Sequence, residues 1–395
     1  MLDNIWSDNK YINLAVNILI FLLSINFMHY GQLLLPLICF LLFIDNRMRF
    51  KVNDPVVFVA LCLFGVSFYA FSHQLGFYSA MGFTLPMAYY VGSNVRYSNE
   101  ENTKKIIYLL AFGMGLHVIL SGIMEMILHG PHGFFMSSTH YDFWTRQKMS
   151  STAIAIDEDL LIGILYYVLL KENNRKCKVL LITELVLGMF YLIVIGRRTS
   201  LMMMITSFMA MFAYEAIVTK NISIKLVRIL ICIAIIFISL ALVITVFYRF
   251  DIFSSRLFFD QFKIITVFQQ GVLDTDRLKL FIGAIKLMPY HLFGGQEISS
   301  ILGMPVHELW LDIYDYAGII PYLLMIIYSL MFVRTILRLF RNEGISNNTK
   351  ILLFGVDICI MIQMFLEPVM TGASLFLIIS IIIDGITERM LIEEK

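Results

Sequence analysis

Apolar blocks of roughly 20 residues, separated by short polar breaks, recur along the whole chain, and each is long enough to cross a bilayer as a helix. Inside a bilayer only helices or closed barrels satisfy every backbone amide and carbonyl. The pattern predicts about twelve transmembrane helices by the length rule. They start near Tyr11, Gln32, Pro55, Gly76, Ile106, Ala153, Val179, Thr199, Leu226, Leu311, Ile351 and Gly372. The second block is short. The sixth carries Asp157, Glu158 and Asp159 early in its length. The expected fold class is an all-α integral membrane protein, residues 1–395 forming a single polytopic membrane domain. No internal repeat of the kind built into many transporters is visible.

Two segments break the rhythm. Residues 249–310, from Arg249 to Trp310, are too polar to be a span and are expected to form one long loop. The loop lacks the Gly/Ser richness of a flexible linker. Arg256–Gln270 and Thr275–Leu287 carry apolar residues at helical spacing, which predicts amphipathic helices at the membrane surface or capping the bundle. Pro289–Pro305 is rich in turn residues, with Gly294-Gly295 permitting unusual backbone angles. A second loop is expected over 128–152.

Basic residues decide sidedness. Of the 30 Lys and Arg residues, 20 fall in one set of alternate breaks, among them Arg47, Arg49, Lys51, Lys104, Lys171, Arg175, Arg338 and Arg341. The positive-inside rule then puts both termini in the cytoplasm and both long loops outside. Composition agrees with a membrane protein: 59% hydrophobic, 15% charged and mean hydropathy +0.80, where a soluble domain carries about 25% charge. The net charge of +1 is uninformative because charges are segregated by side, and no nucleic-acid partner is expected. The five cysteines show no CxxC spacing, so neither a disulfide framework nor a zinc site is read. The polar stretch Met1–Lys10 runs into an apolar block without a small-residue cleavage site, as expected of a retained first span.

Candidate chemistry sits on the outward side. In Ile195-Gly196-Arg197-Arg198-Thr199-Ser200, two guanidiniums interrupt two apolar runs against the positive-inside trend. A guanidinium is a planar fork suited to phosphate oxygens, and Thr199 and Ser200 add hydroxyls where helix amides also attract anions. Arg277 opens an amphipathic helix, and Arg146 with Lys148 stands in the other outer loop. Arg197, Arg198, Arg277 and Arg146 together suit a diphosphate headgroup, although a snorkelling or solvated arginine has the same pattern. His307-Glu308 stands at the mouth of the tenth span. At least one acid of Asp157-Glu158-Asp159 is expected to face a polar cavity, because intramembrane charges are costly. Asp274-Thr275-Asp276 has metal-ligand spacing but reads better as the cap of the Arg277 helix, so no metal is expected. There is no Gly-rich phosphate loop.

His307-Glu308, nine residues, then Gly318 resembles the motif of the bacterial O-antigen ligase and polysaccharide polymerase family, at the same loop-to-span junction. Arg198-Thr199-Ser200, the Arg277–Gly295 stretch ending in Leu-Phe-Gly-Gly, and Trp144–Gly163 are similar to further pieces of that family. Glu308 and Pro321 depart from the family pattern, which weakens the likeness to the ligase branch in particular. The resemblance implies a glycosyltransferase of the bacterial cytoplasmic (inner) membrane, inverting and without metal or other cofactor. Its donor would be an oligosaccharide on undecaprenyl diphosphate and its acceptor a lipid-linked repeat unit, which makes it a polymerase of O-antigen or capsule. His307 would be the general base, oriented by Glu308, and the arginines would hold the diphosphate. Membrane lipid, a flippase and a chain-length regulator are the further partners this implies. The alternatives are a ligase that moves the finished glycan to a surface acceptor and, from another class, a polysaccharide flippase or transporter.

Overall fold

The computed structural model describes residues 10–72, 76–95, 100–136, 140–195, 197, 199–219, 276–306 and 308–393. The ninth predicted span, from Leu226, and the predicted Arg256–Gln270 helix lie outside the described residues, as do Arg198 and His307.

The described chain is almost wholly helical. In order come α1 (Lys10–Ser24), α2 (Leu35–Asp45), α3 (Pro55–Phe71), α4 (Thr84–Asn94) and α5 (Glu100–Met136). A two-stranded antiparallel hairpin follows, β1 (His140–Tyr141) with β2 (Lys148–Met149), pairing His140 with Met149. Then come α6 (Ser151–Asp157), α7 (Asp159–Leu170), α8 (Arg175–Val194) and α9 (Thr199–Thr219). The last part holds α10 (Asp276–Leu287), α11 (Glu297–Leu302), α12 (Leu309–Ala317), α13 (Ile319–Arg341), α14 (Asn347–Leu366), the single turn α15 (Val369–Gly372) and α16 (Ser374–Glu393). Starts are capped as polar side chains before apolar runs require. Asp54 accepts from the Val56 amide at 2.9 Å, Ser150 from Ala153 at 3.1 Å, and Ser346 from Thr349 at 3.3 Å.

Four described stretches are long and apolar enough to cross a membrane: Glu100–Gly130, Arg175–Val194, Ile319–Arg341 and Asn347–Leu366. The outward face of α3 fits the same environment. Val56, Val59, Leu63 and Val66 are all more than half exposed and recur at helical spacing, whereas a water-facing helix would be polar there.

Four expected spans are built differently from a plain helix. The second expected span, from Gln32, begins with 3-10 turns and becomes α-helical only at Leu35. The fourth, from Gly76, is a 3-10 stretch to Phe83 followed by the 11-residue α4. The sixth is divided at Glu158 into α6 and α7. The tenth, expected from Leu311, is cut at Gly318 into the nine-residue α12 and the long α13. Segment 292–296 lies against that cut. Ile319 donates to the Leu292 carbonyl at 2.9 Å, Gly295 to Tyr316 at 3.1 Å and Gln296 to Asp315 at 2.8 Å. Gly294 and Gly318 make the approach possible. Both have positive φ, and a Cβ on Gly294 would lie 2.6 Å from the Ala317 amide nitrogen. In the expected 128–152 loop, α5 continues to Met136, with a break at Gly130 (φ +67), before the hairpin begins.

The helices share one large apolar core. A small satellite core of Ala284, Ile298, Val306, Leu311 and Tyr314 joins α10, α11 and α12.

Candidate functional site

Of the three short elements, α10 and α12 border one cavity and α11 borders another. One is an apolar groove of about 550 Å³ between α10, α12, α13 and α14, lined by residues such as Phe281, Trp310, Ile326, Leu330 and Phe365. Among the described residues, Glu308 is the one acid on its wall. The other is a cleft of about 750 Å³ lined by His291, Gln296, Glu297, Ser299, Ser300 and Pro305, among others. Pro305 borders the cleft, and Glu308, three positions further along the sequence, borders the groove.

Glu308 is positioned under strain. As the N-cap of α12 it has φ 100, a region that residues with a Cβ rarely adopt. Burial pushes its carboxyl up to about 7. A carboxyl with that affinity exchanges a proton near neutral pH, as general acid–base work requires. Asp315 and Ser299 tie α11 to α12 and to Val306. Asp315 Oδ1 accepts from the Ile298 and Ser299 amides at 3.1 and 3.2 Å, and its Oδ2 from the Ser299 hydroxyl. Ser299 Oγ in turn accepts from the Val306 amide at 3.2 Å.

A polar belt leads from this place across the same end of the bundle. Asp312, one turn after Glu308, accepts from the Thr371 amide at 3.1 Å and from its hydroxyl at 2.8 Å. Thr371 follows α14, whose Gln363 donates to Asp159 at the start of α7. Asp157, Glu158 and Asp159 are all buried, and none of them lines the two cavities described above. Asp157 continues the belt to His117 of α5 and so to Asp142 in the hairpin.

Arg197 lies at the hairpin end of this belt. Its guanidinium donates to Ser151 at the start of α6, and its main-chain amide closes α8 on Leu192 at 2.9 Å. Burial and then the charge of Arg197 push His140 down to about 4, so this histidine is neutral at ordinary pH. Arg146 is exposed in the hairpin turn with φ 56. Arg277 lies in the first turn of α10, and its side chain is outside the described residues, as are Arg198 and His307. Arg197 and Arg146 thus belong to the hairpin neighbourhood, and Glu308 to the groove. Among the described residues, no group of three or more His, Cys, Asp or Glu is arranged to hold a metal ion.

Sequence reasoning passes over His117, Asp142 and His29. The signal is present for His117, an ionisable residue in the middle of an apolar run, a placement that defaults to a functional reading. Its partners stand 25 and 40 residues away and only folding brings them together.

Comparison of the sequence with models of known protein families finds no match, and comparison with curated proteins finds none either.

Proposed function

We propose that this protein is a membrane glycosyltransferase that polymerises surface polysaccharide, O-antigen or capsule, from undecaprenyl-diphosphate-linked repeat units. The observation that carries the reading is the pairing of an apolar groove with a polar cleft across the segment 305–308. An amphiphile with a long hydrocarbon tail and a sugar-diphosphate head needs that pair of environments side by side. The groove suits part of the tail, and the hydroxyl- and amide-rich cleft suits sugars. Glu308 stands where tail meets head, with a carboxyl able to hold or release a proton near pH 7. In this reading His307 takes the proton from the acceptor hydroxyl and Glu308 orients it. Arg197, Arg198, Arg277 and Arg146 bind the diphosphate and stabilise the charge that builds on the leaving group.

The protein then spans the bacterial cytoplasmic membrane about twelve times by the length rule, with both termini in the cytoplasm and the 249–310 and 128–152 segments outside. The absence of Gly/Ser richness in 249–310 and its amphipathic α10 support a working loop at the membrane surface.

Purified protein supplied with lipid-linked repeat units tests the reading. Long lipid-linked glycan is expected from the wild type, and Glu308→Ala and His307→Ala should each lower the rate by about 10²–10⁴-fold. Deletion of the gene should leave surface polysaccharide as single capped units. Accumulation of long lipid-linked chains in the deletion strain would instead identify a ligase. Loss of lipid-linked units from the outer leaflet would identify a flippase. Normal chain lengths in the deletion strain would refute all three.

A further inference from the structure

A second chemical feature lies away from the groove. His117 sits within α5 and is 1% exposed. Its Nδ1 is 2.8 Å from Asp157 Oδ2 and its Nε2 is 3.0 Å from Asp142 Oδ2. An imidazolium with a carboxylate on each nitrogen carries one proton in each of two hydrogen bonds, and the neutral ring carries one fewer. Either proton can cross to its carboxylate without changing the charge of the cluster. Imidazolium between two carboxylates, and neutral imidazole with one carboxyl and one carboxylate, both sum to a single negative charge.

The cluster has a wet side. His29 Nδ1 is 3.4 Å from the same Asp142 Oδ2, and 33% of the His29 side chain is exposed. Asp142 is also fixed through its other oxygen, which accepts from the amides of Trp144 and Thr145 at 3.0 and 2.8 Å. Burial raises the Asp142 carboxyl, but hydrogen bonds from His117, His29 and the Thr145 amide outweigh it and hold the group well below the usual carboxylate range.

The cluster also has a dry side. Asp157 is followed directly by Glu158, which is wholly buried and faces α8 where Gly188 leaves room for its carboxyl. Glu184, one turn earlier on α8, lies against Gly115 of α5 in the same way. Both carboxyl oxygens of Glu158 and of Glu184 are buried without a hydrogen-bond partner among the described residues. A buried, unpartnered carboxyl is carried as the neutral acid, because the bare anion is too costly to desolvate.

We propose that His29, Asp142, His117 and Asp157 form a proton wire from the aqueous edge at the hairpin to the buried carboxyl of Asp157 inside the helix bundle, which gives the protein a proton-linked function. The groups facing His117 are Asp142 from the hairpin and Asp157 from α6, while Glu184 of α8 faces Gly115 nearby. From the state in which both carboxylates are ionised and His117 is the neutral ring with its single proton on Nδ1 and Nε2 bare, a proton leaves the His29 nitrogen and forms an O–H bond on Asp142. Asp142 hands it to His117 Nε2 as the proton on Nδ1 passes to Asp157 Oδ2. One N–H bond is lost at His29 and one O–H bond is gained at Asp157. No electrons are exchanged, and no atom but hydrogen moves.

Proton uptake by the purified, full-length protein tests the wire. A pH-indicator dye in a stopped-flow instrument follows uptake after a jump from about pH 8 to about pH 6, the range in which an imidazole changes charge. The wild type should show an uptake phase that slows at least about tenfold in His117→Gln, which keeps a donor toward one carboxylate but cannot carry the extra proton. Asp157→Asn should abolish the phase. His29→Gln, at the exposed edge and less of a risk to folding, should slow it as well. Wild-type kinetics in a folded His117→Gln would show a static tether and overturn the wire. Should that variant fail to fold, His29→Gln decides alone, and unchanged uptake there overturns the proposal. Absence of any such phase in the wild type overturns it too.

Discussion

Asp315→Ala should open the polar cleft without unfolding the bundle. The six-residue α11 is too short to hold itself together, and its own N-cap, Gln296, makes no side-chain cap bond. Asp315 supplies the cap from α12, taking the Ile298 and Ser299 amides and the Ser299 hydroxyl on one buried carboxylate. Truncation removes a cap worth about 1 kcal/mol. It also strands two amides whose desolvation costs about 1–3 kcal/mol each. The local loss is therefore roughly 3–5 kcal/mol, allowing for partial rescue by water. Hydrogen exchange in detergent reads this directly. The amides of Ile298 and Ser299 should exchange about a hundred- to a thousandfold faster, at 1.4 kcal/mol per tenfold. Amides within α14 should not change. The Val306 amide should lose protection too, because it donates to the Ser299 hydroxyl that Asp315 holds. Under the proposed function, glycan-forming activity should fall with cleft order, because Val306 stands two positions before Glu308. Asp315→Asn keeps the one oxygen that accepts from both amides and loses only the acceptor of the Ser299 hydroxyl, so it should cost about 1 kcal/mol. Unchanged exchange at Ile298 and Ser299 in the Ala variant would refute the capping role and the link to Glu308.

Glu308 makes a prediction about pH. Its folded pKa, about 7, lies above its ordinary value of 4.5, so the folded state favours the protonated form. The stability it contributes is present below about pH 4.5 and is lost as pH rises through about 7. Glu308→Gln should therefore melt with the wild type near pH 4.5 and above it at about pH 8; a melting difference that is flat with pH would show an ordinary carboxyl. The crossing of α7 and α14 makes a third prediction. A Cβ on Gly163 would lie 2.9 Å from the Gly355 carbonyl oxygen, and one on Gly355 would overlap the Gly163 carbonyl outright. Gly355→Ala should cost about 1–3 kcal/mol through forced separation of the helices, and Gly163→Ala less, both measured by thermal unfolding in detergent. Equal stability of Gly355→Ala and wild type would refute the close crossing.

Most of the helices are legible in the sequence because their physics is local. Apolar length, caps such as Asp54 and Ser346, and Pro55 in the first helical turn all lie within a few residues of the feature they set. The breaks at Glu158 and Gly318 are not legible as breaks. Gly318 ends α12 because segment 292–296 folds back onto it, and that pairing spans more than twenty residues of chain. The same distinction separates the site residues. His307-Glu308 stands out by spacing along the chain, and the described Glu308 does line a cavity. Arg197 stands out by its sign, and its neighbours are His140 and Ser151. Asp142 reads only as part of an outer loop, because nothing in its local sequence separates a buried acceptor from a solvated one. Its burial depends on His117, His29 and the Thr145 amide converging from three segments. Ionisable residues inside apolar runs are the stronger signal. The acid triplet is conspicuous because bilayer physics makes such charges expensive, and His117 meets the same criterion. Position in an apolar run therefore implies a buried partner for His117 from the sequence alone, while the choice of Asp142 and Asp157 among the chain's many acids is made only by the packing of α5, α6 and the hairpin.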